Sequence, residues 1–162
     1  MKCRLRVAVF VTVSMTAPAW GASSSPPSFD ELRSATYTGI QGLSKPVTLV
    51  DGRWEDTPKR IAVSLAPDFR VVGDVDGAAP DDAVVILVVN RGGSGAASYA
   101  AVVARLGDKL VNVATAPIGD RVQLRDVRIE NRRIIADVLQ AGPDDPMCCP
   151  GELATRAWNL DG

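Results

Sequence analysis

From residue 47 onward the apolar positions mark strands rather than helices. In "RIAVSLAPDF" (60–69), Ile61, Val63 and Leu65 alternate with Ala62, Ser64 and Ala66, a period of two. "AVVILVVN" (83–90) is an unbroken β-branched run and predicts a central strand covered on both faces. "VTLVDGRWED" (47–56) sets Asp51-Gly52 between apolar runs, the dipeptide favoured in a type I′ hairpin, whose two central residues need positive φ. A second hairpin is predicted in "RIENRRII", turning at Asn131-Arg132. It pairs Glu130 with Arg133, Ile129 with Ile134 and Val127 with Ala136, charge against opposite charge and apolar against apolar. Val122 and Leu124 are even-numbered where Val127 and Ile129 are odd, so the period slips at Arg125-Asp126 and predicts a β-bulge. "ELATRAWNL" (152–160) alternates less cleanly and reads as an edge strand.

Two segments depart from this pattern. "SFDELRSATY" predicts a short helix capped by Ser28, with Asp30 and Glu31 in the first turn and Phe29, Leu32 and Ala35 on the buried stripe. "GGSGAASYAAVVARLGD" is a glycine-rich loop followed by either a strand or a helix, with Tyr99, Val103 and Leu106 on one helical face. As a helix it would bring Gly92–Gly95 to an anion-binding terminus, but the spacing and the lysine of a phosphate loop are missing. The plainer reading is a glycine connection.

The opening residues change the picture of compartment. Lys2, Arg4 and Arg6 precede the apolar run "VAVFVTVSM" (7–15), and small residues follow in "TAPAWGA". This is the layout of an export signal cut after Ala19 or Gly21, so the segment 1–21 is read as a signal peptide and the product as periplasmic or secreted. The run is too short to span a bilayer, which takes about 20 residues, and no later segment is long enough, so no membrane span is expected in the processed chain. Cys3 precedes the apolar run, so no lipid anchor is expected. "ASSSPPS" (22–28) reads as a disordered leader, and 29–162 as one domain. Removing three basic residues from 18 leaves 15 against 19 acidic, a net charge of −4. No basic cluster gives a nucleic-acid footprint. The chain has no histidine, which excludes Ser-His-Asp and Cys-His machinery but leaves carboxylate and lysine chemistry open.

Two local sites carry candidate chemistry. In "GDVDGAAPDDAVV" (73–85), Asp74, Asp76 and Asp82 fall at positions 1, 3 and 9 of a cation loop. Ala78 and Ala79 stand where a calcium loop wants another oxygen and a glycine. Acidic residues that satisfy their own turn are the preferred reading, with weak calcium binding the alternative. The second site is "GPDDPMCCPGE" (142–152), where Cys148 and Cys149 are the only thiols once Cys3 is removed. Adjacent Cα atoms lie about 3.8 Å apart across a trans peptide, while disulfides prefer about 5.5–6 Å. A bridge between them would be strained, close almost no loop and be easy to reduce. A pair of buried reduced thiols, a structural vicinal disulfide, a soft-metal site with Met147 and a redox-active pair all remain open.

"GDVDGAAPDDAVVILVVNRGGSG", "LVNVATAPIGDRVQLRDVRIE" and "GPDDPMCCP" together resemble a family of small exported bacterial proteins of unknown function. Its members read "GDLDGDG" before an apolar strand, then a Gly-Ser loop, "VNVATA" with "GDRVQ", and "GPxDPMCCP". The resemblance runs from about Ala35 to the end. It implies a secreted or periplasmic domain and a strand after the glycine loop, and it supplies no reaction. Ala78 and Ala79 depart from the family's acidic loop, whereas the adjacent cysteines match it.

These readings combine into a mainly β fold, with α+β as the alternative. It is expected as a single antiparallel, sandwich-like domain with a short N-terminal helix. The expected function is a non-catalytic envelope or binding protein whose partner, unknown here, could be another envelope protein. The alternatives are a thiol redox or metal-handling factor using Cys148 and Cys149, and an inhibitor or partner-binding module. No cofactor is expected apart from the calcium alternative. Mass spectrometry of the chain recovered from the periplasm is expected to find Trp20 or Ala22 as its first residue; an intact Met1 on cytosolic material would contradict the export reading.

Overall fold

The computed structural model describes residues 25–143, 145–146 and 149–160. The expected signal segment, Cys3, Met147 and Cys148 lie outside the described residues. The chain forms one short helix, α1 (Phe29–Leu32), and ten strands: β1 (Thr36–Tyr37), β2 (Val47–Thr48), β3 (Arg53–Asp56), β4 (Ile61–Gly73), β5 (Asp82–Asn90), β6 (Ala96–Leu106), β7 (Lys109–Asp120), β8 (Gln123–Glu130), β9 (Arg133–Gln140) and β10 (Glu152–Asn159). Every pairing is antiparallel. The fold is mainly β with one short helix near its start, as the apolar pattern predicts. No helix among the described residues is long and apolar enough to cross a membrane.

A five-stranded sheet in the order β3-β4-β5-β6-β7 has β5 at its centre. Side chains of successive residues point to opposite faces, and here both faces are covered. On one, Val63, Val85, Leu87, Tyr99 and Val103 pack with Leu32, Tyr37, Val47 and Leu49 from α1, β1, β2 and their neighbourhood. On the other, Val84, Ile86, Ala100 and Val102 pack with Val127, Ile134, Ala136 and Val138 from the sheet β10-β9-β8. Double coverage also resolves the segment after the glycine loop. It is strand β6, and its helical spacing arises because residues on both of its faces are apolar. Tyr99 and Val103 are buried, while Leu106, third member of the supposed helical face, is 58% exposed.

The turn chemistry follows the sequence closely. The pairing of β8 with β9 is Glu130 with Arg133, Ile129 with Ile134 and Val127 with Ala136, and its register shifts between Leu124 and Asp126. Asn131 and Arg132 both have positive φ, as a two-residue hairpin turn requires. Asp51 and Gly52 do so as well, and Val50 and Arg53 exchange both backbone hydrogen bonds. The arms of this second turn then separate: β2 pairs with β1, and β3 joins the central sheet. β10 is an edge strand.

The N-terminal segment is the main correction. Of the stretch 22–28, expected as a disordered leader, residues 22–24 lie outside the described residues, and the rest is held against the sheet from Ser25 on. Arg105 of β6 donates through Nε to the Ser25 carbonyl at 2.9 Å, and Arg70 of β4 donates to the Pro27 carbonyl, at 3.2 Å through Nε. Pro27 is buried. Two arginine side chains thus supply what the segment lacks, donors for its exposed carbonyls. Arg105 also closes both Nη2 contacts to the Glu31 carboxylate, at 2.8 and 2.7 Å, with its own side chain only 5% exposed. Glu31 meanwhile completes a capping box with Ser28, accepting from the Ser28 amide at 2.8 Å. Leu32 and Tyr37 follow into the core, and burying side chains of this size contributes roughly 1.5–3 kcal/mol apiece. The Tyr37 hydroxyl donates to the Leu32 carbonyl at 2.9 Å, and burial pushes its pKa up, so it stays a donor.

The Arg105 guanidinium, then the Ser28 amide and hydroxyl, hold the Glu31 carboxyl at about 2, against an ordinary 4.5. A carboxylate favoured by folding stabilises the fold above pH 4.5, and that contribution is lost as pH falls from 4.5 to 2. Glu31→Gln keeps the capping geometry and removes the charge. In urea unfolding the wild type is expected to be the more stable by about 1 kcal/mol or less at pH 7, because the pair is partly exposed to solvent. The gap should close towards pH 2; a gap independent of pH would contradict the ion pair.

Candidate functional site

Three segments remote in sequence meet at one end of the sheet stack, around a cleft of about 450 Å³. The glycine loop between β5 and β6 contributes Ser94, and β6 itself Ala96 and Ser98. The "GDRVQ" segment joining β7 to β8 contributes Arg121, Val122 and Gln123, followed by Leu124. The connection from β9 to β10 contributes Pro150. Ile86 and Val88 of β5 line the interior. Ala66 and Phe69 come from β4, where the four residues 66–69 stand opposite Ile86 alone. Such an irregularity bends a strand and re-aims its side chains, and Pro67 within it could not have donated to a regular ladder. The cleft combines an apolar interior with a few polar side chains, the usual make-up of a small-molecule site.

Arg121 is set by the backbone around it. Its φ is 54°, a left-handed conformation uncommon in a residue with a side chain, and its amide donates to the Ala96 carbonyl at 2.9 Å. Its side chain runs beneath the glycine loop, where a Cβ on Gly95 would fall 2.5 Å from Nε. Gly95 therefore provides space; its own φ is not in the left-handed region. Asp120 faces Arg121 with an oxygen 3.6 Å from Nε.

The cysteine-bearing loop is braced at its base by Asp145. One carboxylate oxygen, Oδ2, accepts from the Gly142 and Gly151 amides, each at 2.9 Å. Those two hydrogen bonds hold the Asp145 carboxyl below the usual carboxylate range. A Cβ on Gly142 or Gly151 would come within 3.3 or 3.2 Å of the same oxygen, so both glycines leave room for it. Beyond the brace, the Cys149 amide donates to the Pro146 carbonyl at 2.9 Å, and Cys149 is exposed. It directly precedes Pro150, which lines the cleft.

The acidic loop lies elsewhere. It precedes β5, whereas the glycine loop follows it; nine residues of strand separate the two by on the order of 27 Å. Asp82 is 1% exposed and accepts from the Val75 and Asp76 amides, both at 3.2 Å. Burial, then the nearby Asp76 charge, pushes its pKa up. Asp76 accepts from the Ala78 amide at 2.7 Å, and Asp74 accepts from the Gly77 amide. Asp74 also receives Arg132 Nε at 3.0 Å, which ties the loop to the β8–β9 turn. The three carboxylates are thus engaged by protein donors. Among the described residues no group of three or more His, Cys, Asp or Glu side chains is set to hold a metal ion.

"VNVATA" also acquires a structural role that its residue types did not announce. Asn112 stands at a bulge of β7 where Val113 is unopposed. Its amide donates to the Val102 and Ala114 carbonyls, at 3.0 and 2.8 Å, and its oxygen accepts from the Thr38 amide at 2.8 Å. One side chain thereby repairs the interrupted ladder and fastens the N-terminal segment. An asparagine in a strand pattern was the available signal, since asparagine is depleted from regular strands.

Asp145→Ala is expected to raise amide hydrogen exchange at Gly142 and Gly151 by about tenfold or more while leaving β5 unchanged, because two hydrogen-bonded amides lose their acceptor. Unchanged exchange at both glycines would contradict the brace. No family model matches the chain, and no curated protein or solved structure matches it, so the reading of the cleft rests on its own residues.

Proposed function

We propose that the chain is an exported, non-catalytic binding protein whose ligand occupies the cleft beside the cysteine-bearing loop. The observation that carries this reading is the convergence of Ser94, of Arg121, Val122 and Gln123, and of Pro150, from three connections remote in sequence, on that one cleft. Core packing alone would not need three separate loops to leave an apolar space between two sheets. Compartment follows from the basic, apolar and small-residue order of the first 21 residues. Non-catalysis fits the chemistry present: among the described residues that line the cleft, the polar side chains are two serines, a glutamine and an arginine, and histidine is absent from the chain. No general base stands among them to activate a nucleophile.

A second reading, thiol chemistry at Cys148 and Cys149, draws support from the exposure of Cys149 beside the cleft. It is separated from the first by a thiol count on unreduced, denatured protein; two thiols would remove the disulfide form of that reading.

The binding reading is tested with Nile red, a neutral apolar dye. Wild-type protein is expected to bind about one equivalent with a rise in fluorescence. Ala96→Phe, which fills the cleft from the partly exposed start of β6, should weaken binding at least tenfold while leaving the far-ultraviolet circular dichroism unchanged. Equal dye binding by both proteins, or by neither, would overturn the cleft as a binding site.

A further inference from the structure

We infer that the cleft takes a neutral aliphatic molecule bearing a carbonyl group, whose oxygen accepts a hydrogen bond from the Ser98 hydroxyl while its alkyl chain lies between the sheets. The inference rests on the binding reading above and narrows it to one ligand class. Its first support is Ser98 itself. This residue lines the cleft and is only 8% exposed, yet its hydroxyl has no hydrogen-bond partner among the described residues. The two buried charged residues are by contrast both engaged: Asp82 accepts from the Val75 and Asp76 amides, and Arg105 donates to Ser25 and Glu31. A buried hydroxyl without a protein partner forfeits hydrogen bonds that water would give it in the unfolded chain. Ser98 is therefore placed to be completed by what enters the cleft.

The second support is the surface around that hydroxyl. Ser98 stands opposite Val88 of β5 and Gly119 of β7. Side chains alternate along a strand, so Ala96 and Ala100 flank it on the same face of β6. Apart from Val88 these neighbours are glycine or alanine, and none is long enough to cover the hydroxyl. A side chain at Gly119 would itself collide with Val122, its Cβ falling 2.8 Å from Cγ1. Exposure falls along this face from the partly exposed Ala96 to the buried Ser98 and Ala100, so Ser98 lies in the interior of the cleft. That position defines the ligand's polar group. A serine hydroxyl has one proton to give, and buried donors are left orphaned less often than buried acceptors, so the ligand must bring an acceptor. A charged acceptor would lose its hydration for a single hydroxyl, which leaves a neutral carbonyl oxygen. Ile86, Val88 and Leu124 offer the branched aliphatic surface that receives the alkyl chain.

The test follows 2-nonanone, with 1-nonene as its apolar counterpart, by displacement of Nile red from the full-length processed protein. Ser98→Ala removes the hydroxyl from a strand already rich in alanine. It should weaken 2-nonanone by about fivefold or more, the worth of one hydrogen bond, and leave 1-nonene unchanged or tighter. In infrared spectra the carbonyl band of bound 2-nonanone should lie at lower wavenumber on the wild type than on Ser98→Ala, a change that lost packing alone would not produce. If Ser98→Ala fails to fold, the band of the ketone bound to wild type, set against the ketone in hexane, decides. An unshifted band, an unchanged 2-nonanone affinity, or equal weakening of ketone and alkene would overturn the carbonyl assignment while leaving the cleft as a binding site. Nile red bound but not displaced by 2-nonanone would do the same. Failure of Nile red to bind the wild type would overturn the binding reading and this inference with it.

Discussion

The whole arrangement depends on burying β5 from both sides. Ala83, Val84, Val85, Ile86, Leu87 and Val89 are all essentially inaccessible to water. An antiparallel strand ordinarily needs only one apolar face. A strand apolar on both faces cannot be stable in a single sheet, so it demands two covers. The chain supplies one from its N-terminal region and the other from β8, β9 and β10. Once β5 is fixed, its two ends become distinct places. The acidic loop and the β8–β9 turn gather at one end, and the glycine loop, Arg121 and the cysteine-bearing loop at the other.

The two covers are attached in different ways. The C-terminal sheet rests on area: its inward residues meet the even-numbered residues of β5 and β6, and the Asp74–Arg132 contact ties it down at one edge. The N-terminal cover is small, with a helix of four residues and a two-stranded ribbon. Apolar area is reinforced there by polar fastenings, namely Arg70 and Arg105 on backbone carbonyls, Glu31 on Arg105, and Asn112 on Thr38. Each joins residues at least 43 positions apart. Glu31 gives the N-terminal cover one acid-sensitive fastening, since Arg105 and Ser28 hold its carboxyl below the usual range; the opposite sheet carries a carboxylate of the same kind in Asp137, held down by Thr155 and Arg128.

Local features were legible in the sequence because local chemistry determines them. The Asn131-Arg132 turn, its register, the bulge beside Arg125 and the Ser28 cap all follow from residues within a few positions of one another. Two-sided burial of β5 was legible because no polar residue interrupts 83–89. What escaped depends on distant partners. Arg70 and Arg105 look like solvent-facing charges in a strand, and only the fold brings Pro27 and Ser25 beneath them. Asp51-Gly52 forms its turn as expected, but nothing local says that its arms enter different sheets. Asp145 sits among acids and prolines, and its acceptor role needs Gly151 to return beside Gly142. The cleft is the extreme case, since its motifs could be recognised singly but their meeting is a property of topology.

Amide hydrogen exchange across β5 under native conditions tests the central claim most directly. If burial from both faces is what organises the fold, the amides of Val84 through Val89 should be the slowest in the protein and exchange only through global unfolding. Their exchange should also be far slower than that of the edge strand β10. Exchange in β5 as fast as in β10, or released by local opening well below the global unfolding free energy, would show that the strand is not the doubly covered centre and would remove the frame on which the cleft is built.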